Sequence, residues 1–307
     1  MDHSTQGIRS SNPVSHLVHV VIGALIGLAE MVPGVSGGTI ALISGIYERA
    51  INNADALLNV AKSLVRDRSN LAAAVRKVEW LFLAAVAVGM LGTVFALSGV
   101  VHSFVENSPQ TAHALFLGMV AVSLVVPIKQ TNKQDLKAKL IPALSLLVAT
   151  AIGMFFLTGF TSAEKSDPSL LIIFGAAAIA ICALVLPGVS GSFILLAIGL
   201  YEPVIGAVSE RNLTVLLVFV AGALTGLSLF IKVLNYLLNN HHSLTMMAMA
   251  GLMLGSLRAL WPWTGDSGEL LAPSGNTGWL LSMMALGGAI AGAVMILERF
   301  NTQGSKN

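Results

Sequence analysis

Apolar and polar positions in this chain alternate in long blocks rather than with a short period. Nearly every residue is apolar or small over 14–31, 80–101, 111–128, 139–160, 169–186, 213–238, 244–261 and 278–298. About 20 such residues in a helix cross the hydrocarbon core of a bilayer. Six of the blocks therefore predict transmembrane helices, at 80–101, 111–128, 139–160, 213–238, 244–261 and 278–298. The other two stop at a proline–glycine pair, and apolar sequence resumes beyond it over 39–50 and 193–206. Between the blocks lie an amphipathic stretch at 51–78, a lysine-rich segment at 129–139 and a short polar turn from Ser162 to Pro168.

The two interruptions are copies of one motif. Pro33-Gly34-Val35-Ser36-Gly37-Gly38-Thr39 returns as Pro187-Gly188-Val189-Ser190-Gly191-Ser192, and at the same offset of 154 residues Gly45, Tyr47 and Glu48 answer Gly199, Tyr201 and Glu202. Proline lacks the amide donor and glycine permits a sharp backbone change, so Pro33, Gly34, Pro187 and Gly188 are read as helix breaks. Broken backbone at membrane depth is tolerated only inside protein or beside a polar cavity. Two breaks in corresponding places point to a transport site. The 37 residues from Val14 to Ala50 make about 55 Å of helix, too long for one crossing and short for two. A re-entrant hairpin over 14–50, with a second over 169–206, fits that length.

Each half then consists of one hairpin and three spans, over 1–161 and 162–307. Ala112–Met119 resembles Met247–Met253, which extends the repeat beyond the motif. Three spans separate the hairpins, so the second half is inverted relative to the first. The expected fold is an all-α polytopic membrane protein of two inverted-topology repeats, each a re-entrant helical hairpin plus three transmembrane helices.

Composition agrees: 55% of residues are hydrophobic, 10% are charged and the mean hydropathy is +0.81. Soluble domains carry about 25% charged residues. The net charge of +2 gives no reason to expect a nucleic-acid partner. With re-entrant hairpins, fourteen of the Lys and Arg residues fall on one side and three, Lys165, Arg211 and Arg258, on the other. Crossing hairpins would split them twelve to five. The positive-inside rule favours the first and places both termini in the cytoplasm. The single cysteine, Cys182, excludes an internal disulfide and reads as a small apolar residue.

Free amides at a helix start attract anions, and glycines let a ligand approach the backbone. Ser36, Gly37, Gly38, Thr39, Ser190, Gly191 and Ser192 are therefore the candidate anion-binding residues, a phosphate or carboxylate being the natural guest. Packing between small residues of two turns is the alternative. Glu30, deep in an apolar run, reads either as a proton carrier or partner of a cation, or as a brace for the broken backbone. Its counterpart is Leu184. Arg258 and Arg211 are candidates for guiding a phosphate from outside, or simply reach for the interface, as do Arg49 and Lys232. Trp80, Trp261, Trp263 and Trp279 sit at predicted span ends as interface anchors. His16 and His19 read as interfacial, and His241-His242 as a turn. No metal site, cofactor or catalytic residue is expected, beyond a proton. The composition leaves open a homo-oligomer.

Glu-x-x-Pro-Gly-Val-Ser-Gly-Gly-Thr with the downstream Gly-x-Tyr-Glu, and the second Pro-Gly-Val-Ser-Gly-Ser, resemble the bacterial PopT family, which includes polyprenyl-phosphate transporters. The likeness covers nearly the whole chain. It implies movement of undecaprenyl phosphate, the lipid carrier of cell-wall building blocks, from the outer to the inner leaflet of the cytoplasmic membrane. The family's motif falls on Glu30, Pro33, Gly34, Ser36, Gly37, Gly38, Thr39, Pro187, Gly188, Ser190, Gly191 and Ser192. The second copy has Ser192-Phe193 where the first has Gly38-Thr39. A carrier or channel for a small anion is the competing reading. A lipid phosphatase fits worse, because none of the seven histidines sits beside either motif.

Overall fold

The computed structural model describes residues 13–31, 36–66, 68–160, 168–265 and 268–304. In chain order its helices are α1 (Pro13–Glu30), α2 (Gly37–Ile43), α3 (Tyr47–Arg66), α4 (Leu71–Lys77), α5 (Trp80–Asn107), α6 (Pro109–Ser123), α7 (Val125–Gln130), α8 (Lys133–Ala138), α9 (Leu140–Leu157), α10 (Leu170–Val185), α11 (Gly191–Ala197), α12 (Tyr201–Ser209), α13 (Leu213–Asn240), α14 (His242–Ser256) and α15 (Thr277–Gly304). The described residues hold no strand, only an antiparallel bridge between Thr264 and Leu270. Six helical stretches are long and apolar enough to cross a membrane: α5, α6 with α7, α9, α13, α14 with the 3-10 turn Leu257–Leu260, and α15. All six coincide with predicted spans. The fold is that of a polytopic helical membrane protein.

Four helix pairs are drawn together by glycine. Gly23 lies against the Val86 carbonyl and Gly27 against Met90, so α1 runs beside α5 with residue numbers rising together. Gly222 and Gly226 do the same against Phe174 and Ala178, pairing α13 with α10. Gly118 against Met284 and Gly288 against Val122 pair α6 with α15; Gly251 against Leu147 and Gly255 against Ala151 pair α14 with α9. A methyl group at most of these glycines would overlap the facing backbone. Small residues at such crossings are how helices approach closely in lipid, where no hydrophobic force drives them together. Because α1 and α5 run parallel, α5 starts at the end where α1 started. A hairpin that enters and returns on one side has that geometry; a single crossing would make the pair antiparallel. The same holds for α10 and α13.

The exit arms differ from expectation. The stretches 39–50 and 193–206 are not single helices. α2 stops after Ile43 and α11 after Ala197, each at a glycine in the left-handed region, Gly45 at φ 70° and Gly199 at φ 71°. The two turns carry the same hydrogen bonds: Gly45 N–H to the Leu42 carbonyl and Ile46 N–H to Ala41, Gly199 N–H to Leu196 and Leu200 N–H to Leu195. That pair of bonds closes a helix in the manner of a Schellman cap. α11 and α12 are bent from one another by 115°. The polar stretch 51–78 is largely helical, through α3 and α4, and the span 111–128 is interrupted at Leu124, three residues before Pro127 removes an amide donor.

The main core lies around the first exit arm. Ile40, Leu42, Ile43 and Tyr47 are buried together with Phe116 and Val120 of α6 and Met246, Met249 and Met253 of α14. Trp263 does not anchor an interface: it is 3% exposed, and its indole N–H donates to the Ser274 carbonyl. Trp80 and Trp279 are about half exposed, as span-end residues are.

Candidate functional site

The two motif copies meet. Ser36 donates its hydroxyl to the Leu186 carbonyl at 3.1 Å, and Gly188 donates its amide to the Thr39 hydroxyl at 2.9 Å. A Cβ on Gly38 would press on the Val185 carbonyl, so this glycine is needed for the approach. Gly188 has φ 80° and backs onto Met253, where a side chain would collide with the α14 backbone. Ser36, Thr39 and Ser190 are buried; Ser190 and Ser192 share a hydrogen bond of 2.9 Å, and Ser192 reaches the surface. Pro187, Gly188, Val189 and Gly191 are buried as well. Pro33 and Gly34 lie outside the described residues.

Two of the amides expected to be open for an anion are engaged within the protein. Gly37 gives its amide to Glu30 Oε1 at 2.8 Å, and Thr39 gives its amide to the Ser36 carbonyl at 3.0 Å. Glu30 thus braces the first break from within its own hairpin, its carboxylate placed at the start of α2. At the contact between hairpins the Ser36 hydroxyl and the Gly188 amide are paired across, while the Gly37 and Thr39 amides are paired within the first hairpin, in keeping with the pairing that buried polar groups require. For an anion to enter, those bonds have to be exchanged for bonds to the guest.

Arg258 and Arg211 are not part of this contact. The Arg258 guanidinium lies 4.7 Å from the centre of the Phe155 ring and donates to the Phe155 carbonyl at 3.3 Å, both on α9. It stands five residues beyond Met253, about 8 Å further along the same helical stretch than the residue that touches Gly188. Arg211 is exposed, in the turn after α12, at φ 55°.

Sequence reading missed the role of the first turn of α3. Tyr47, Glu48 and Arg49 each reach a different element. The Tyr47 hydroxyl donates to the Val185 carbonyl at the second tip, at 3.0 Å. Glu48 Oε1 meets His242 Nε2 at 2.7 Å, at the start of α14. Arg49 Nε donates to both Glu79 oxygens at 3.1 and 3.0 Å, its Nη2 pairs with Glu79, and its Nη1 donates to His19 Nε2 at 3.1 Å. The guanidinium also covers the Phe82 ring at 4.1 Å. Since arginine only donates, His19 Nε2 accepts and its proton is on Nδ1. Asn53 completes the cluster, accepting the Glu79 amide and donating to the Glu79 carboxylate. The hydrogen bonds from Arg49, more than any other cause, hold the Glu79 carboxyl below the usual carboxylate range. His19 is therefore a buried member of this cluster rather than an interfacial residue. The duplicated Gly-x-Tyr-Glu was visible in sequence, but the partners lie 30 to 194 residues away and carried no local signal. Among the described residues no three His, Cys, Asp or Glu side chains gather as a metal site would require.

Paired broken hairpins, touching at polar tips inside a bundle of spanning helices, define a transporter-type membrane protein. The chain belongs to the undecaprenyl phosphate translocase-like family, whose profile matches residues 26–278. It is similar to a polyprenyl-phosphate transporter of Vibrio cholerae, 33% identical over 94% of this chain and 97% of that protein. A polyprenyl-phosphate transporter of Staphylococcus aureus is 28% identical over 80% of this chain and 86% of its own length. No solved structure matches.

Proposed function

We propose that this chain moves a polyprenyl phosphate, undecaprenyl phosphate in the first place, from the outer to the inner leaflet of the bacterial cytoplasmic membrane. The observation that carries the reading is the tip-to-tip contact, in which hydroxyls and amides of the two motif copies bond across halves of the chain. These bonds are of the kind that phosphate oxygens replace one for one. Family membership supplies the substrate, and both curated relatives are named for polyprenyl phosphate. The chain acts without chemistry on its cargo. The two halves, 1–161 and 162–307, are inverted repeats; the four parallel helix pairs and the positive-inside balance support that arrangement, with both termini in the cytoplasm.

In the proposed cycle the phosphate takes the donors of Ser36, Gly37, Gly38, Thr39, Ser190, Gly191 and Ser192 as the tips part. Arg258, and Arg211 nearer the surface, draw it from outside. Glu30 leaves Gly37 with a proton when the phosphate arrives. The isoprenoid tail stays in lipid. Uptake of labelled undecaprenyl phosphate into proteoliposomes tests this. Ser36→Ala with Ser190→Ala is expected to lower uptake by at least about tenfold, the loss of two hydrogen bonds to a charged group. Glu30→Gln is expected to abolish the dependence on a proton gradient. Folded wild-type protein that moves chloride or an organic acid but no lipid phosphate would replace this reading with a small-anion carrier.

A further inference from the structure

The two hairpins share a sequence plan but do not share a state. At the common offset of 154 residues, Leu42 is 1% exposed and its counterpart Leu196 43%; Ile51 is 5% exposed and Ile205 45%. Tyr47 is buried and bonded across to Val185, whereas Tyr201 is half-buried. Yet the local geometry is the same, down to the left-handed Gly45 and Gly199 and the pair of bonds that closes each exit arm. Exit turns of one geometry in two environments are what an alternating carrier shows when caught in one of its two conformations. Exchanging the environments of the repeats generates the other.

We infer that Tyr47 and Tyr201 are reciprocal latches. In the opposite-facing conformation the Tyr201 hydroxyl donates to the Met31 carbonyl, as the Tyr47 hydroxyl donates to the Val185 carbonyl here. Val185 and Met31 correspond at the same offset, each near the inner end of an entry helix. Only one latch closes at a time, because closing either covers the positions of Leu42 and Ile51, or of Leu196 and Ile205, that the other leaves exposed. The two latches are unequal. Arg49, with its bonds to Glu79 and His19, has Pro203 as its counterpart, which carries no donor. The conformation with Tyr47 latched is thus the resting one, and the cargo has to supply the difference.

The inference rests on the transport reading above and on the inversion of the repeats, and its test is separable from both. In a Cys182→Ser background, Ile51→Cys and Ile205→Cys serve as single reporter thiols, and their reaction with N-ethylmaleimide is timed in lipid nanodiscs. Tyr47→Phe is expected to speed the reporter at 51 by about fivefold, the population shift carried by one lost hydrogen bond, and to slow that at 205 by a smaller factor, because the conformation that exposes 205 is the dominant one. Tyr201→Phe is expected to do the reverse. A Tyr201→Phe change that leaves both rates within twofold, or moves both in one direction, overturns the reciprocal latch. Lipid uptake by the same wild-type preparation decides the rest. Uptake without traded reactivity sinks the latch and spares the transport reading. Traded reactivity without uptake supports the latch and sinks the transport reading.

Discussion

At the residue scale, the tip contact turns on single atoms. Thr39→Val keeps the shape of the side chain and removes the acceptor of the Gly188 amide. A buried donor left unpaired costs about 1–3 kcal/mol, so the melting temperature in detergent should fall while the far-UV helix signal is kept. A second residue-scale outcome concerns acid. Glu79 is held below its ordinary range by Arg49, so its contribution to stability is complete above the unfolded carboxyl value of about 4.3 and is lost as the pH falls through its lower folded value. Wild-type protein should therefore lose thermal stability on acidification through that window, and Glu79→Gln should show a flatter profile over it. Equal slopes for the two proteins would remove Glu79 from the account.

At the scale of elements, glycines decide which helices touch. A Cβ at Gly89 would overlap the Val20 carbonyl, whereas one at Gly92, a turn later on the same helix, meets nothing within 4 Å. Gly89→Ala should cost about 1–3 kcal/mol through forced separation of α1 and α5. Gly92→Ala should be neutral or stabilising by up to about 1 kcal/mol, since alanine orders the unfolded chain more than glycine does. Chemical denaturation of the pair in micelles distinguishes steric contact from mere helix propensity. The spans and the broken hairpins were legible in sequence because length, apolarity and proline–glycine are local signals. The second break at Gly45 and Gly199 was present in the sequence as a matched pair, but glycine in an apolar helix has several uses, and only its left-handed backbone tells them apart. The partners of Arg49 and Glu48 were illegible for a different reason: nothing near a side chain in sequence says which distant helix end it will meet.

At the scale of the whole molecule, the residues read from sequence as anion donors at the two tips meet in one interlocking contact. The residue types were right to attract attention, since hydroxyls and glycines at a helix break bring donors together. Their use on each other follows only from the fold that brings Leu186 and Gly188 against Ser36 and Thr39. Arg258 and Arg211 stood out as isolated charges, and the structure gives Arg258 a ring and a carbonyl on α9 for company.

The cross-pairing of α6 with α15 and of α9 with α14 has a consequence in time. The last residue of α6 leaves the ribosome 154 residues before the first of α15. At about 5–20 residues per second that is roughly 10–30 s during which α6 stands in the membrane with its glycine face uncovered. A nascent chain arrested after α9 should accordingly be a ready target for membrane proteases and insertion chaperones, and completion of α15 should release it from both. Pulse-chase of chains stalled before and after Thr277 would display this as a single late step in protease resistance.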